Sequence, residues 1–270
     1  MNKILKMKPF YSEKVWGYED WCLSTHKNGN SIVEGTDTKL IDYIGKELPI
    51  LNKIIKADDT LSVQVHPEDE FARKYENDNG KTECWYILDA KEDASLVCGI
   101  KPDNNKESFE HIIKEGNIEN YLEKISVKTG DMIYIPAGTV HAIEGGLKLI
   151  EVQQSSDVTY RIYDWGRDRE VHIEKSLQVI DYEGKKKGGK IENFKKLETP
   201  YFTVEKIEVD SQYKDIVEDE EFHSYTVIDG SGEITSKEEC LKLEKEETIF
   251  IMNGVEYTIS GNMKLLKSYV

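Results

Sequence analysis

Residues 61–67 read LSVQVHP, and their alternation decides how this chain is expected to fold. Successive side chains of a β-strand point to opposite faces, so the two valines share one face while Ser62, Gln64 and His66 share the other. A strand at the protein surface would show a polar face to water in the same way. Whether this polar face meets solvent or a ligand can be judged from whether other strands show the same pattern.

Two further segments, KTECWYIL at 81–88 and VTYRIYD at 158–164, also place long polar side chains on one strand face. The residues that share these faces are Lys81, Glu83 and Trp85 in the first segment and Thr159, Arg161 and Tyr163 in the second. Several strands with this pattern are typical of the interior of a barrel that holds a ligand. We therefore predict a β-barrel with a ligand site inside it.

Short segments rich in Val, Ile, Tyr and Trp recur along the chain, with Gly, Asp and Asn between them. They are 61–66, 84–88, 95–100, 132–136, 148–153, 158–164 and 248–252. This spacing predicts a mainly β fold, a sandwich or a barrel. Helical periodicity predicts only a few short helices, at 38–45, 69–76 and 108–125, and Gly116 is expected to split the last one.

A Gly- and Lys-rich segment, GKKKGGK at 184–190, predicts a linker between two domains. Residues 1–190 form the predicted first domain, which contains the short helices and all the candidate site residues. Residues 191–270 form a smaller β-rich second domain.

A weak internal repeat supports this division. Residues 128–143 align with the chain from Lys245 onward at one constant offset. Tyr257 then stands where the first copy has His141, so the second domain is predicted to hold no metal. Two unrelated β-hairpins with a glycine turn would show the same likeness, and that alternative stays open.

The composition excludes several functional classes. The 270 residues carry a net charge of −16, which excludes a basic nucleic-acid binder. No apolar run approaches the about 20 residues that a bilayer span needs. The four cysteines form no CxxC pair, which argues against a disulfide framework and a cysteine zinc site. The first 21 residues lack the apolar core of a secretory signal, so the cytoplasm is the predicted compartment.

The candidate metal ligands are Gln64, His66, Glu83 and His141. Imidazole nitrogen, carboxylate oxygen and amide oxygen suit a divalent ion, and zinc, iron, manganese, cobalt and nickel are all chemically possible. A single histidine in a β protein is more often structural than a ligand. The segment IPAGTVHAI favours a ligand role for His141. Pro136 and Gly138 predict a tight turn, which places the imidazole at the start of the next strand.

Two cations accompany the predicted ligands. Burying the charge of Arg161 inside a barrel destabilises the fold unless an anion pairs with it. The candidate anions are Asp157, Glu151 and a substrate phosphate. Lys81 lies two residues before Glu83 on the same predicted face, and a solvated strand end is the alternative explanation for it.

Four segments, in their order and spacing, resemble the type I mannose-6-phosphate isomerases: LSVQVHPEDEFA, KTECWYIL, IPAGTVHAI and IEVQQSSDVTYRIYDWGR. The similarity begins near Val15 and runs to about Arg169, with weaker likeness beyond. The chain looks like the short bacterial branch, in which the large helical insertion is reduced or missing. The resemblance implies a cupin or jelly-roll barrel, a degenerate cupin-like second domain, and one zinc ion per subunit.

The resemblance also implies roles for individual residues. Gln64, His66, Glu83 and His141 would hold the zinc, Arg161 would be the catalytic arginine, Lys81 and Glu151 would be polar residues of the active site, and Ser62 and Lys53 would bind the substrate phosphate. The implied activity is the interconversion of mannose 6-phosphate and fructose 6-phosphate through an enediol, in carbohydrate metabolism. A monomer or a homodimer is expected, with a small sugar phosphate as partner and neither nucleic acid nor a membrane.

An isomerase of this kind must stabilise the developing oxyanion of the enediol and move a proton between two carbons. Glu151 and a metal-bound water or hydroxide are both candidate bases, and the sequence does not choose between them. The alternatives are another cupin sugar-phosphate isomerase, an iron-dependent cupin oxygenase, and a non-catalytic sugar-binding cupin. The presence of Lys81 and Arg161 beside the four ligands favours the isomerase, because a sensor needs no charge at an enediolate.

Overall fold

The computed structural model describes residues 2–102, 104–237 and 239–270, and strands dominate it. The strands are β1 Ile4–Lys8, β2 Phe10–Lys14, β3 Gly17–Leu23, β4 Thr25–His26, β5 Gly29–Asn30, β6 Ile32–Val33, β7 Ile50–Ala57, β8 Val63–Val65, β9 Glu83–Ala90, β10 Ser95–Ile100, β11 Leu122–Ser126, β12 Met132–Ile135, β13 His141–Ile143, β14 Leu147–Gln154, β15 Tyr160–Tyr163, β16 Gly189–Ile191, β17 Lys196–Glu198, β18 Thr203–Val209, β19 Gln212–Ile216, β20 Phe222–Thr235, β21 Cys240–Leu243, β22 Thr248–Met252 and β23 Glu256–Tyr269. The helices are α1 Leu40–Ile44, α2 Asp69–Tyr75, α3 Lys106–Lys114, α4 Ile173–Val179 and a 3₁₀ helix at Ile118–Tyr121. The prediction of a mainly β fold is confirmed.

The short helices agree with the predicted ones except in two places. Gly116 has φ +72° and ends the helical course of 108–125, as expected. After Gly116 the segment forms the 3₁₀ helix, which agrees with the predicted second short helix, but residues 122–125 belong to β11, which pairs with β10, and their prediction as helix was wrong. Helix α4 was not predicted at all. Among the described residues, every helix is too short or too polar to cross a bilayer.

The contacts within the chain divide it into two units. The site unit contains Glu13–Glu19 and Ile55–Glu192, and the second unit contains the residues up to Ser12, Asp20–Ile54 and Asn193–Val270. The observed change near residue 192 lies close to the predicted boundary. Most of the first 54 residues, however, belong to the second unit and not to the predicted first domain, because β1 pairs with β22 of that unit.

The end of the predicted linker also has a different role. Residues Gly189–Ile191 form β16, which pairs with β12 in the site unit. The lysine-rich segment therefore ends as the edge of a sheet and does not run free between two domains.

The site unit is a sandwich of two antiparallel sheets. One sheet has the order β11-β10-β13-β8-β15, and the other contains β16-β12-β9-β14. Apolar side chains from both sheets, among them Trp85, Ile133 and Ile143, form a core between them. The two valines of β8 lie in a second core on the outer face, beneath α3 and α4. The opposite face of β8 is thereby turned to the interior of the sandwich.

The second unit contains a nine-stranded sheet, in which the main path is β17-β18-β23-β20-β22-β1-β6, with β19 beside β23 and β21 beside β20. The predicted repeat has a structural counterpart here. Strand β22 occupies the repeat position of β12, and the start of β23 occupies that of β13. The turn glycines Gly138 and Gly254 both have positive φ, +94° and +79°. His141 begins β13, and Tyr257 is the second residue of β23.

We expect Gly17→Ala to destabilise the protein by about 3 kcal/mol or more, because two penalties add. Gly17 has φ +144°, and a Cβ atom there would lie 2.0 Å from the carbonyl oxygen of Lys56. Gly116→Ala is the control, since its φ is also positive but nothing lies within 4 Å of the added carbon. That variant should lose only about 1–2 kcal/mol. Urea unfolding measures both values, and equal losses would contradict the steric argument.

A candidate metal centre and active site

Three buried side chains meet inside the site unit and form a candidate metal centre. His66 follows β8, Glu83 begins β9, and His141 begins β13. One ligand atom from each lies within 4.8 Å of the others. Their side chains are at most 1% exposed. Three of the four predicted ligands therefore converge on one point, although they are far apart in the sequence.

Strand register explains this convergence. Gln64 in β8 lies opposite His141 in β13 and also opposite Arg161 in β15. Directly opposed residues of neighbouring strands point to the same face, so all three side chains share one face of the sheet. In the facing sheet, Glu83 is aligned with Ile135 of β12. The two sheets thus present their polar residues to each other.

Backbone carbonyls fix the position of the ring proton in both histidines. Nδ1 of His66 donates to the carbonyl oxygen of Val158, and Nδ1 of His141 donates to that of Thr139, each at 2.8 Å. A carbonyl oxygen only accepts, so each ring carries a proton on Nδ1, and Nε2 is the atom that could bind a metal. Burial lowers the pKa of His141 to about 4, which also keeps that ring neutral.

The Nε2 atoms of these rings point toward the Glu83 carboxylate. They lie 3.6 Å (His66) and 3.4 Å (His141) from its oxygens. Two imidazole nitrogens and a buried carboxylate are the donors that zinc and other divalent ions take in protein sites. The residues present therefore fit a divalent metal ion.

Gln64 is the fourth predicted ligand, and it lies beside the cluster. Its amide Nε2 is 3.2 Å from Nε2 of His141, while Oε1 accepts a hydrogen bond from Ser62 at 3.3 Å. The two ends of an amide are exchanged by a half-turn, which would direct the oxygen toward the cluster. Ser62, one of the two predicted phosphate-binding residues, thus lies next to the ligands.

A lysine and a second glutamate extend the cluster. Nζ of Lys81 lies 2.7 Å from Glu83 and 3.7 Å from Glu151, and it donates to Nε2 of His66 at 3.2 Å. The carboxylate of Glu151 accepts a hydrogen bond from the indole N–H of Trp85 at 3.0 Å. Lys81, Glu151 and Trp85 are all buried. Lys81 is therefore not a solvated strand end, which was the alternative to a site role.

Arg161 is half-buried, and strand register aligns it with Gln64. Its Nη1 donates to the carbonyl oxygen of Glu170 at 2.6 Å, and its buried Nε has no hydrogen-bond partner within the described part of the chain. Burial and then the neighbouring Arg169 lower the pKa of Arg161. The guanidinium thus keeps donor capacity for an anion.

Lys53 belongs to the second unit, in β7. Its ammonium lies 4.8 Å above the ring of Trp21, and the side chain is buried. This cation–π contact accounts for the position of the ammonium within its own unit. The predicted phosphate-binding role of Lys53 stays a prediction.

Some contributors to the site had no role in the sequence analysis. The carbonyl groups of Val158 and Thr139 orient the two histidines. A pattern of side chains in the sequence cannot predict which backbone carbonyl accepts a hydrogen bond. Trp85 shares a strand face with Lys81 and Glu83, and this shared face was the feature of the sequence that indicated a site role for it. Its hydrogen bond to Glu151 depends on the pairing of β9 with β14.

A β-sandwich that gathers two histidines and a glutamate from separate strands defines the cupin class. Two family models match the chain: "Phosphomannose isomerase type I, catalytic domain" over residues 19–103, and "Mannose-6-phosphate isomerase, cupin domain" over residues 190–270.

Individual relatives extend this match to nearly the whole chain. Mannose-6-phosphate isomerase ManA of Bacillus subtilis is 32% identical, and the alignment covers 98% of each protein. A crystal structure of the mannose 6-phosphate isomerase from the same species superposes with a TM-score of 0.90 at 28% identity, over the full length of both chains. A structure described as mannose 6-phosphate isomerase bound with zinc and yttrium has a TM-score of 0.75 over 99% of each chain, but at 15% identity it supports the fold alone.

The chain therefore belongs to the type I mannose-6-phosphate isomerase family. The predictions of the family, the cupin fold and an isomerase are confirmed.

Divalent metal should stabilise the protein, because it binds the folded cluster and not the unfolded chain. At a free metal concentration about 1,000 times the dissociation constant, the gain is about 4 kcal/mol, or a melting temperature higher by roughly 10 °C. We expect chelation to remove this gain and added metal to restore it. His141→Ala should show no response, whereas the exposed His111→Ala should respond like the wild type. An equal response of both variants to metal would refute the cluster as the binding site.

Proposed function

We propose that this protein interconverts mannose 6-phosphate and fructose 6-phosphate through an enediol. The observation that carries the proposal is the buried cluster of His66, Glu83 and His141 with Lys81 beside it, in a chain of this family. Strand register aligns Arg161 with Gln64 next to this cluster. Moving a proton between C1 and C2 of a sugar needs polarised oxygens, a base, and positive charge beside the enediolate. The cluster offers groups suited to each task.

The proposed metal is zinc, one ion per subunit, held by Gln64, His66, Glu83 and His141. When bound, the ion would act as a Lewis acid on the oxygens at C1 and C2 without a change of redox state. The hydrogen bonds that fix Nδ1 of both histidines and the buried carboxylate support this ligand set.

Arg161 is proposed to face the negative charge that develops on the substrate. Its hydrogen bond to the Glu170 carbonyl fixes one arm of the guanidinium, and Nε remains as a donor. A preorganised cation of this kind stabilises an enediolate without having to move during the reaction. Strand pairing aligns Arg161 with Gln64, a proposed metal ligand, and this register supports the proposed role.

Glu151 is the candidate base on this chain. The indole of Trp85 holds one carboxylate oxygen, and the other lies 3.7 Å from the Lys81 ammonium. In the proposed step, the carboxylate takes the proton from C2 of mannose 6-phosphate and returns it to C1, and the hydroxyl proton of O2 passes to O1. Lys81 offsets the negative charge that builds up on the enediolate. Ser62 and Lys53 are proposed to bind the substrate phosphate.

We further propose that the metal lies in the site unit only and that the second unit is the degenerate cupin domain. A cytoplasmic location stays a prediction from the sequence, as does the choice between a monomer and a homodimer. The alternatives of another cupin sugar-phosphate isomerase and of a non-catalytic sugar-binding cupin are separated from the proposal by the assay below.

Purified protein should convert fructose 6-phosphate into mannose 6-phosphate and contain one zinc ion per chain. A coupled assay for mannose 6-phosphate and elemental analysis of the same preparation give the two results. Turnover of a different sugar phosphate alone would favour another cupin isomerase. Binding without turnover would favour a sugar-binding protein, and a stoichiometric metal other than zinc would correct the proposed cofactor.

Arg161→Ala should lower kcat by about a hundredfold or more, because a preorganised charge beside the transition state is lost. The variant should keep its metal and its melting temperature, since the guanidinium bonds a carbonyl and leaves no carboxylate unpaired. Arg161→Lys should recover little activity, because a flexible point charge replaces a planar fork. Arg73→Ala is the control, an exposed arginine paired with Asp69. Near-normal turnover with a collapsed melting temperature would make Arg161 a structural residue.

A further inference from the structure

The second unit contains a polar cluster at the place that corresponds to the candidate metal centre. The correspondence follows from strand register. His223 is aligned with Ile251 of β22 as Glu83 is with Ile135 of β12. The other pairs are Asp215 with Tyr257, matching Gln64 with His141, and Tyr225 with Lys267, matching Trp85 with Glu151.

The centre of this cluster is a carboxylate oxygen. Oδ2 of Asp215 has four donor groups around it: the Lys267 ammonium at 2.9 Å and the hydroxyls of Tyr213, Tyr257 and Tyr225 at 2.9, 3.2 and 3.3 Å. Oδ1 accepts from the backbone N–H of Ile216 at 2.8 Å. The Tyr257 hydroxyl also lies 2.6 Å from Nδ1 of His223 and from the Tyr225 hydroxyl. The cluster therefore consists of hydrogen-bond donors arranged around the Asp215 carboxylate, which accepts.

The polarity of this cluster is the reverse of that in the site unit. Where the site unit has the carboxylate of Glu151, the second unit has the ammonium of Lys267, and where it has His141, the second unit has a tyrosine. Lys267 and Tyr257 are buried, with 5% and 1% of their surface exposed. In the site unit two buried carboxylates, Glu83 and Glu151, lie beside the Lys81 ammonium. In the second unit, Lys267 replaces the Glu151 carboxylate and adds a positive charge that attracts an anion.

The Asp215 carboxylate behaves as a well-ligated anion. Burial raises its pKa, but hydrogen bonds from Lys267, Tyr213 and the Ile216 amide outweigh this and lower it to about 2. Its side chain is 22% exposed, more than the 7% of Lys267. The carboxylate is thus more exposed to solvent than the ammonium with which it pairs.

We propose that the second unit holds an anion site, built from Lys267 and the three tyrosines, whose occupant is the chain's own Asp215 carboxylate. The cupin duplication has kept the position of the site and inverted its charge. The external ligands that it would accept are small carboxylates, provided that the Asp215 side chain is removed. This inference does not depend on the proposed reaction, because it concerns residues of the second unit alone.

The test replaces the intramolecular carboxylate with one from solution. Asp215→Ala removes a group of the size of formate, and Asp215→Gly removes one of the size of acetate. Both variants should melt about 10 °C or more below the wild type, because the buried Lys267 ammonium loses its carboxylate. Formate should restore the melting temperature of Asp215→Ala with a saturable dose response. Acetate should do so better in Asp215→Gly, and chloride at equal ionic strength should have little effect in either.

The matched control is the double variant Asp215→Ala with Lys267→Met, which removes both charges and should not respond to formate. If Asp215→Ala does not fold without additive, the same comparison is made on the yield of refolded protein in formate and in chloride. Formate acting no better than chloride, or equally well on the double variant, would overturn the anion site. Thermal unfolding and refolding yield are the readouts, so a failed isomerase assay would leave this result intact.

Discussion

The burial of the Glu83 carboxylate is the constraint on which the site unit depends. A carboxylate without exposure to water is strongly destabilising unless positive charge and donors surround it. Lys81 lies 2.7 Å away, but the two histidine rings direct Nε2 atoms, and not N–H groups, toward the carboxylate. A bound divalent ion would add the charge that neutral imidazoles do not supply. The same burial that makes the carboxylate costly also strengthens its attraction to a cation.

The orientation of the ligands depends on backbone groups as much as on side chains. Carbonyl oxygens of Val158 and Thr139 fix which nitrogen of each histidine carries the proton. The Thr139 carbonyl belongs to the turn in which Gly138 adopts positive φ. A change in that turn would therefore disturb the donor properties of His141 without touching the ligand itself.

The two units share one pattern of strand pairing, but their polar clusters are suited to charges of opposite sign. In both, register brings a polar residue of one strand against a polar residue of its neighbour, and the interior charge is compensated locally. The site unit places carboxylates and imidazoles around a position suited to a cation. The second unit places an ammonium and three phenols around a carboxylate. The framework thus constrains where polar groups meet, while the residue types decide which charge is held there.

The sequence by itself determined the mainly β fold, the polar faces of the strands around Gln64, Glu83 and Arg161, and the likeness that identifies the family. These properties depend on neighbours within a few residues or on the spacing of motifs, and both can be read directly from the amino-acid sequence. Local pattern failed at β11 and α4, and it assigned most of the first 54 residues to the wrong unit. Only the tertiary structure decided that β1 pairs with β22, that carbonyls orient the histidines, and that Asp215 meets Lys267. The reason is physical: these contacts join residues distant in sequence, and the free energy that selects them comes from long-range strand pairing and burial.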